Sequence, residues 1–240
     1  MKRMLFIVLT VALAAAASGC VHIMVDCVHG SGVVAREDRS VSSFRRVVVK
    51  GSSDVVLTQV AAQRVTVEAE DNLVPLIRTA VEDGDLVIDT RKCIESTRPV
   101  VVHVAAPDLA GVTISGSGDV TGPGRIDAKE FDIRISGSGD VRLWLVASDI
   151  RTQISGSGDV VLRGSARSFE ATISGSGDIN ASDLAAVRAG VRISGSGDCR
   201  LDVTEQLDAS ISGSGDIAYK GPVRDVRASV SGSGDVRRQR

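Results

Sequence analysis

Ser115-Gly116-Ser117-Gly118-Asp119 is the first of seven identical pentapeptides; the others begin at Ser136, Ser155, Ser174, Ser194, Ser212 and Ser231. The intervals between them are 21, 19, 19, 20, 18 and 19 residues. Self-similarity at a short, nearly fixed period marks a solenoid, in which each unit buries its apolar face only against the units stacked on it. Upstream, Gly51-Ser52-Ser53-Asp54 is a degenerate copy, preceded by Val47-Val48-Val49 and followed by Val55.

The flanks of the pentapeptides alternate. Ahead of them stand Phe131, Ile133 and Ile135, then Phe169, Ala171 and Ile173, then Leu207, Ala209 and Ile211, then Val226, Ala228 and Val230. Polar residues such as Asp132, Arg134, Glu170 and Thr172 are interleaved. After each Asp comes another apolar residue: Val120, Val141, Val160, Ile179, Cys199, Ile217 and Val236. Period-two alternation makes a strand with one buried face. The sequence therefore predicts an all-β fold, a right-handed single-stranded parallel β-helix with coils of about 19 residues and its corners in one line. The handedness follows the general rule for parallel crossovers. Seven coils at a strand spacing of about 4.8 Å extend roughly 29 Å along the axis. Glycine at two of five positions permits positive φ and a sharp corner. The repeats hold 14 of the 25 glycines, so the glycine content is corner chemistry and not linker composition. Cys199 falls in the inward slot held elsewhere by Val or Ile, where a thiol acts as a small hydrophobe. Trp144 falls in the outward phase, between inward Leu143 and Leu145.

Outside the repeats the pattern loosens. Residues 43–110 are expected to form an irregular N-terminal part that caps the regular coils of 111–236. Phe44–Val60 reads as the degenerate first coil, Val65–Ala69 as a strand, and Val100–Val104 as a strand leading into the repeats. Asp71-Asn72-Leu73-Val74-Pro75 reads as a short helical turn with Asn72 near its cap. Asp83-Gly84, between Thr79–Val81 and Leu86–Ile88, is a hairpin signal. Residues 20–42 read as a lipidated N-terminus and tether, because they are polar and lack periodicity. Residues 237–240 read as a basic tail, with Arg237, Arg238 and Arg240 placed to oppose end-to-end stacking of coils.

Residues 1–19 are a signal peptide. Met1-Lys2-Arg3 is basic, and Leu5–Ala17 is an apolar run too short for a mature membrane span. Ala17-Ser18-Gly19-Cys20 resembles the lipobox of bacterial lipoproteins, with Ala17 in place of the usual Leu. On that resemblance Cys20 becomes the lipid-bearing first residue of the mature chain. Val21 in place of Asp then favours the outer membrane over the inner. Cleavage by an ordinary signal peptidase among Ala14–Gly19 is the alternative. Cys27 and Cys93 remain as candidates for a disulfide in an oxidising compartment. The chain carries 28 Lys plus Arg against 30 Asp plus Glu, and 26 against 30 without residues 1–19. With that balance and only 2% aromatic residues, electrostatic or stacking recognition of nucleic acid is excluded.

The segments Phe44-Arg45-Arg46-Val47-Val48-Val49, Gly51–Gln59 and Glu68–Leu73, the SGSGD series, and Tyr219-Lys220-Gly221-Pro222 together resemble the head GIN domain family, labelled a putative autotransporter adhesin. The resemblance covers about residues 43–236. It implies a single-chain right-handed β-helix, often behind a lipoprotein signal. No C-terminal membrane-barrel segment follows the repeats, so self-translocation is not expected.

Catalytic chemistry is not legible. The three histidines are His22, His29 and His103, and no Ser-His-Asp or Cys-His set assembles around them. Asp26, Cys27 and His29 lack the spacing of a recognised metal site. No catalytic residue, cofactor or metal is expected. The sharpest polar feature is a ladder of Asp119, Asp140, Asp159, Asp178, Asp198, Asp216 and Asp235. Neighbouring charges about 4.8 Å apart repel by ~1 kcal/mol in water. The expected compensation is that each carboxylate accepts amide hydrogens of its own corner, with Arg142, Arg200 and Arg237 adding positive charge. The alternative is a calcium ladder, for which a second set of ligands is missing. The function expected is a non-enzymatic lipoprotein of the cell envelope, an interaction or structural module whose partner is a membrane lipid layer through its anchor and an unspecified envelope protein or polysaccharide. A surface adhesin or glycan binder and a pectate-lyase-like enzyme are the alternatives.

Overall fold

In this computed structural model, residues 26–239 are described, and from Gly111 to Arg238 the chain winds as a right-handed single-stranded parallel β-helix. Each coil has three parts. The pentapeptide is its corner, the strand after the Asp is its leading face, and the strand running into the next pentapeptide is its trailing face. Val120–Gly137, Val141–Gly156, Val160–Gly175, Ile179–Gly195 and Cys199–Gly213 each traverse both faces and pair in parallel with the coil before.

Alternation becomes ladders. On the trailing face Val49, Ile114, Ile135, Ile154, Ile173, Ile193, Ile211 and Val230 pair rung on rung. The six isoleucines are at most 2% exposed. Each such burial is worth about 1.5–3 kcal/mol relative to exposure. On the leading face Val55, Val120, Val141, Val160, Ile179, Cys199, Ile217 and Val236 form the second ladder. Cys199 sits in it fully buried, and burial pushes its thiol up to about 12.

The two glycines of a corner serve different needs. Gly156 has φ 147°, and a Cβ there would stand 2.2 Å from the Gly137 carbonyl oxygen. Gly158 has no positive φ, yet a Cβ there would stand 2.1 Å from the Gly139 oxygen. So only the first glycine supplies the left-handed backbone; the second is required by the close approach of the coil beneath. That approach lets Ser157 and Gly158 both donate their amide hydrogens to the Gly137 carbonyl, at 2.9 and 3.3 Å.

Arg46–Gly51 lies in parallel beneath Gly111–Gly116, which places the degenerate corner directly under the first full one. Below it Asp85–Thr90 pairs in parallel, and Ile77–Glu82 returns antiparallel through Asp83-Gly84, with φ of 51° and 84°. On the leading face, Asp54–Gln59 pairs in parallel with Val101–Ala106, and Arg64–Glu70 and then Val34–Arg39 follow antiparallel. The stack is thus closed at its N-terminal end by a switch of strand direction, which ends the parallel template. The helical turn is 3-10, Val74–Leu76, with Leu73 at its N-cap. Asn72 instead donates to the His29 carbonyl at 2.8 Å and accepts the Ser31 amide hydrogen at 3.0 Å.

Two expectations are corrected. Residues 27–39 are not tether: Val28–His29 pairs with Ile94–Glu95, and Val34–Arg39 pairs with Arg64–Glu70. Cys27 and Cys93 form a disulfide with Cα atoms 4.5 Å apart. Polar bonds hold this edge strand where apolar periodicity would normally be sought: Arg36 to Glu68 at 2.8 Å, Arg64 to Asp38 at 2.8 Å, and Arg39 to the Val74 carbonyl at 2.7 Å. Nor is the basic segment a free tail. Val236–Arg238 pairs with the coil before it, Arg237 reaches Asp216 at 3.4 Å, and Arg238 donates to the Gly221 carbonyl at 2.7 Å. Two of the arginines expected to repel a second end are therefore folded back onto their own.

Candidate functional site

The Asp ladder solves its repulsion in an unexpected way. The amide hydrogen of each Asp is donated to the carboxylate of the Asp one coil earlier. The distances are 3.0 Å for Asp119 to Asp54 and 2.8–2.9 Å for every step from Asp140 to Asp235. Bonding within the same corner, as the sequence reading expected, is ruled out by prior claims: the corner Ser and Gly amides are already given to the glycine carbonyl of the coil beneath. The Asp amide is the next donor in line. Arg142 meets Asp140 at 2.8 Å and Arg200 meets Asp198 at 3.8 Å, while Arg237 serves the preceding Asp216. One carboxylate oxygen of every rung below Asp235 is thus committed to backbone. Among the described residues, no three His, Cys, Asp or Glu side chains gather as a cation would need.

The corners and the trailing face repeat without break, and the leading face does not. Coil 115–136 is two residues longer than its successor, and the register shift places the excess between Thr121 and Arg125, at Gly122-Pro123-Gly124. Coil 174–194 is one residue longer, and its excess falls between Asn180 and Asp183, opposite Val161–Arg163. Between these two bulges stand Trp144 and Arg163 on adjacent rungs. The Arg163 guanidinium carbon lies 4.8 Å from the centre of the Trp144 ring, and the indole is 37% exposed. Gly122, Arg142, Leu143, Val161, Leu162, Arg163 and Asp183 line a groove, and Arg163 is the residue that links it to the Trp144 ring. A Cβ at Gly122 would stand 2.7 Å from Leu143 Cδ2.

Residues 43–223 match the family described as "Putative auto-transporter adhesin, head GIN domain". The chain belongs to the head GIN domain family. Its solved relatives include a "putative adhesin" from Bacteroides fragilis, 27% identical, with a TM-score of 0.85 over 88% of this chain and 100% of that one. A "putative adhesin" from Parabacteroides distasonis is 26% identical, with a TM-score of 0.73 over 89% and 100%. A "putative lipid binding protein" from the same species, 24% identical, shares the fold with a TM-score of 0.72 over 90% and 100%. No curated protein matches the chain.

In this head GIN domain the residues singled out from sequence fall in separate places. Cys20 and His22 lie outside the described residues. Cys27 is held in its disulfide, and His29 turns to Glu95 at 2.8 Å, so Asp26, Cys27 and His29 do not converge on a cation. His103 meets Glu68 at 2.9 Å. Glu70 was not legible as special. It is fully buried and accepts hydrogen bonds from the Thr97 hydroxyl at 2.7 Å, the Ser96 hydroxyl at 2.8 Å, and the amides of Gly32 at 2.7 Å and Thr97 at 3.0 Å. Those donors, the Thr97 hydroxyl foremost, hold its carboxyl down to about 2. It clamps the N-terminal segment to the 96–97 loop beside the disulfide. The one sequence signal was Gly30, where a Cβ would stand 1.9 Å from the Glu70 carboxylate.

Proposed function

We propose that this head GIN domain is a non-enzymatic interaction module of the bacterial cell envelope, held to the outer membrane by lipid on Cys20 and displaying its coils to an envelope protein or polysaccharide. The observation that supports this most is the division of labour along the solenoid. Chemistry in the corners is spent on holding coils together, and the singular features stand on an open outer face. Membership of a family whose solved relatives are described as adhesins supports it too. So does a disulfide at the N-terminal end, which suits an oxidising compartment.

The disulfide also sets the reach of the anchor. Cys27 lies seven residue steps beyond Cys20, and a fully extended chain of that length spans at most about 25 Å. A lipid on Cys20 therefore keeps Cys27, and with it the direction-switching end of the solenoid, close to the bilayer. Labelling with radioactive palmitate tests the reading: wild type takes up label and sediments with membranes, and Cys20→Ala does neither. Equal labelling of the two would overturn it.

A further inference from the structure

We propose that the leading face around Trp144 and Arg163 binds an acidic saccharide, with the sugar carboxylate on Arg163, a sugar hydroxyl on Asp183 and an apolar sugar face on the indole. The proposal rests on the interaction-module reading and names the ligand class for it. Three independent observations converge there.

The first is position. In a chain built by repetition, the 21- and 20-residue coils stand on either side of one spot, and that spot carries its only tryptophan; the register shifts again only further along, above the 20-residue coil. The extra residues lie at Gly122–Gly124 on one side and near Ser182 on the other, and they leave the inward ladder from Val120 to Ile179 paired. The second is an unspent cation. The Arg163 guanidinium has no ion pair or hydrogen bond among the described residues; its contact is the Trp144 ring. Its position over the ring leaves its forked donors without a protein acceptor, which suits two-point recognition of a carboxylate. Arg142, by contrast, is already committed to Asp140.

The third is Asp183. It is the rung partner of Arg163 and forms no ion pair with it; Lys220 Nζ lies 4.0 Å from its Oδ1, and its side chain is 82% exposed. The Asp183 carboxylate repels any anion placed on Arg163, a doubly charged phosphate more than a singly charged carboxylate. It favours a ligand that presents both an anion and hydroxyl donors, as a uronic acid does. Val161, 40% exposed, gives the groove an apolar surface. Because the chain as a whole carries more acid than base, a polyanion gains nothing from the bulk surface, and binding must be local.

The single tryptophan makes the site its own reporter. The mature full chain is titrated with polygalacturonate, neutral dextran and inorganic phosphate while Trp144 fluorescence is followed. The expected result is a saturable change with polygalacturonate alone. Arg163→Gln should weaken it at least tenfold and Asp183→Asn measurably. Arg188→Gln, an exposed arginine elsewhere, should leave it unchanged. Far-UV circular dichroism and melting temperature verify that the variants fold. An equal response to dextran or phosphate, an unaffected Arg163→Gln, an equal loss in Arg188→Gln, or no saturable response would each overturn the proposal. Palmitate labelling and membrane sedimentation would still stand in that event, so failure here is separable from failure of the envelope reading.

Discussion

Replacing Gly156 with alanine puts a methyl group where the fold has only a carbonyl. The added Cβ would stand 2.2 Å from the Gly137 oxygen and 3.1 Å from the Gly137 carbon and nitrogen, all backbone atoms of the coil beneath. Two costs add. Holding alanine at a φ of 147° costs about 1–3 kcal/mol of backbone strain. Relieving the overlap by pushing coils apart costs about 1–3 kcal/mol more, and it stretches the bonds of Ser157 and Gly158 to Gly137. The sum is about 2–6 kcal/mol, which for a chain of this size lowers the melting temperature by about 4 °C at the least. Gly124→Ala is the matched control: it has open space around its Cβ position and no positive φ. It should be neutral, or stabilising by a few tenths of a kcal/mol through the unfolded chain. Thermal and urea unfolding of both variants, followed by circular dichroism, decide the matter. If Gly156→Ala unfolds within about 0.5 kcal/mol of Gly124→Ala, close coil-to-coil approach is not what the corner glycines serve.

Asp159→Asn keeps an acceptor for the Asp178 amide and removes one charge from the ladder, so it should be at least as stable as wild type; Asp159→Ala, which loses the acceptor, should fall below it by about 0.5–1.5 kcal/mol. Reversal of that order in urea unfolding would refute the one-coil-back bonding. Cys199, fully buried with its thiol pushed up to about 12, should resist thiol reagents at pH 8 until the protein unfolds, and Cys199→Ser should cost about 1–3 kcal/mol by burying a hydroxyl. Glu70 has a folded value near 2 against an ordinary 4.5. Its contribution to stability is therefore complete above about pH 4.5 and is lost as pH falls toward 2. Hydrogen-exchange protection of the Gly32 and Thr97 amides, taken relative to their intrinsic rates at each pH, should fall across that window in wild type, and Glu70→Gln should show no such pH step.

The repeats were legible because their signal is redundant. Each corner states the same five residues, and each flank repeats the same alternation, so the parallel stack, the inward Cys199 and the outward Trp144 follow from counting. The degenerate Gly51–Asp54 corner was readable for the same reason. Residues 27–39 were not, because an edge strand held by arginine–carboxylate pairs and a buried Glu70 shows no apolar period. The partner of each Asp was missed because the answer depended on a prior commitment, that of the neighbouring amides to Gly carbonyls. The site proposed around Trp144 was half visible. The tryptophan's outward phase could be read, and the unequal intervals of 21 and 20 residues were on the page. That the surplus residues bracket Trp144 needed the register of one coil on the next.

The corner bonds have a further consequence for how such a chain can change. Every corner offers a glycine carbonyl and an Asp carboxylate to the coil above, and takes the same two acceptors from the coil below. Any two coils are therefore interchangeable at their boundary. Excision or duplication of a whole period by unequal recombination leaves no orphaned donor and no mismatched side chain on the corner. Such events would lengthen or shorten the column in steps of about 4.8 Å, with the direction-switching base untouched, so that length is the trait this architecture can vary at least structural risk.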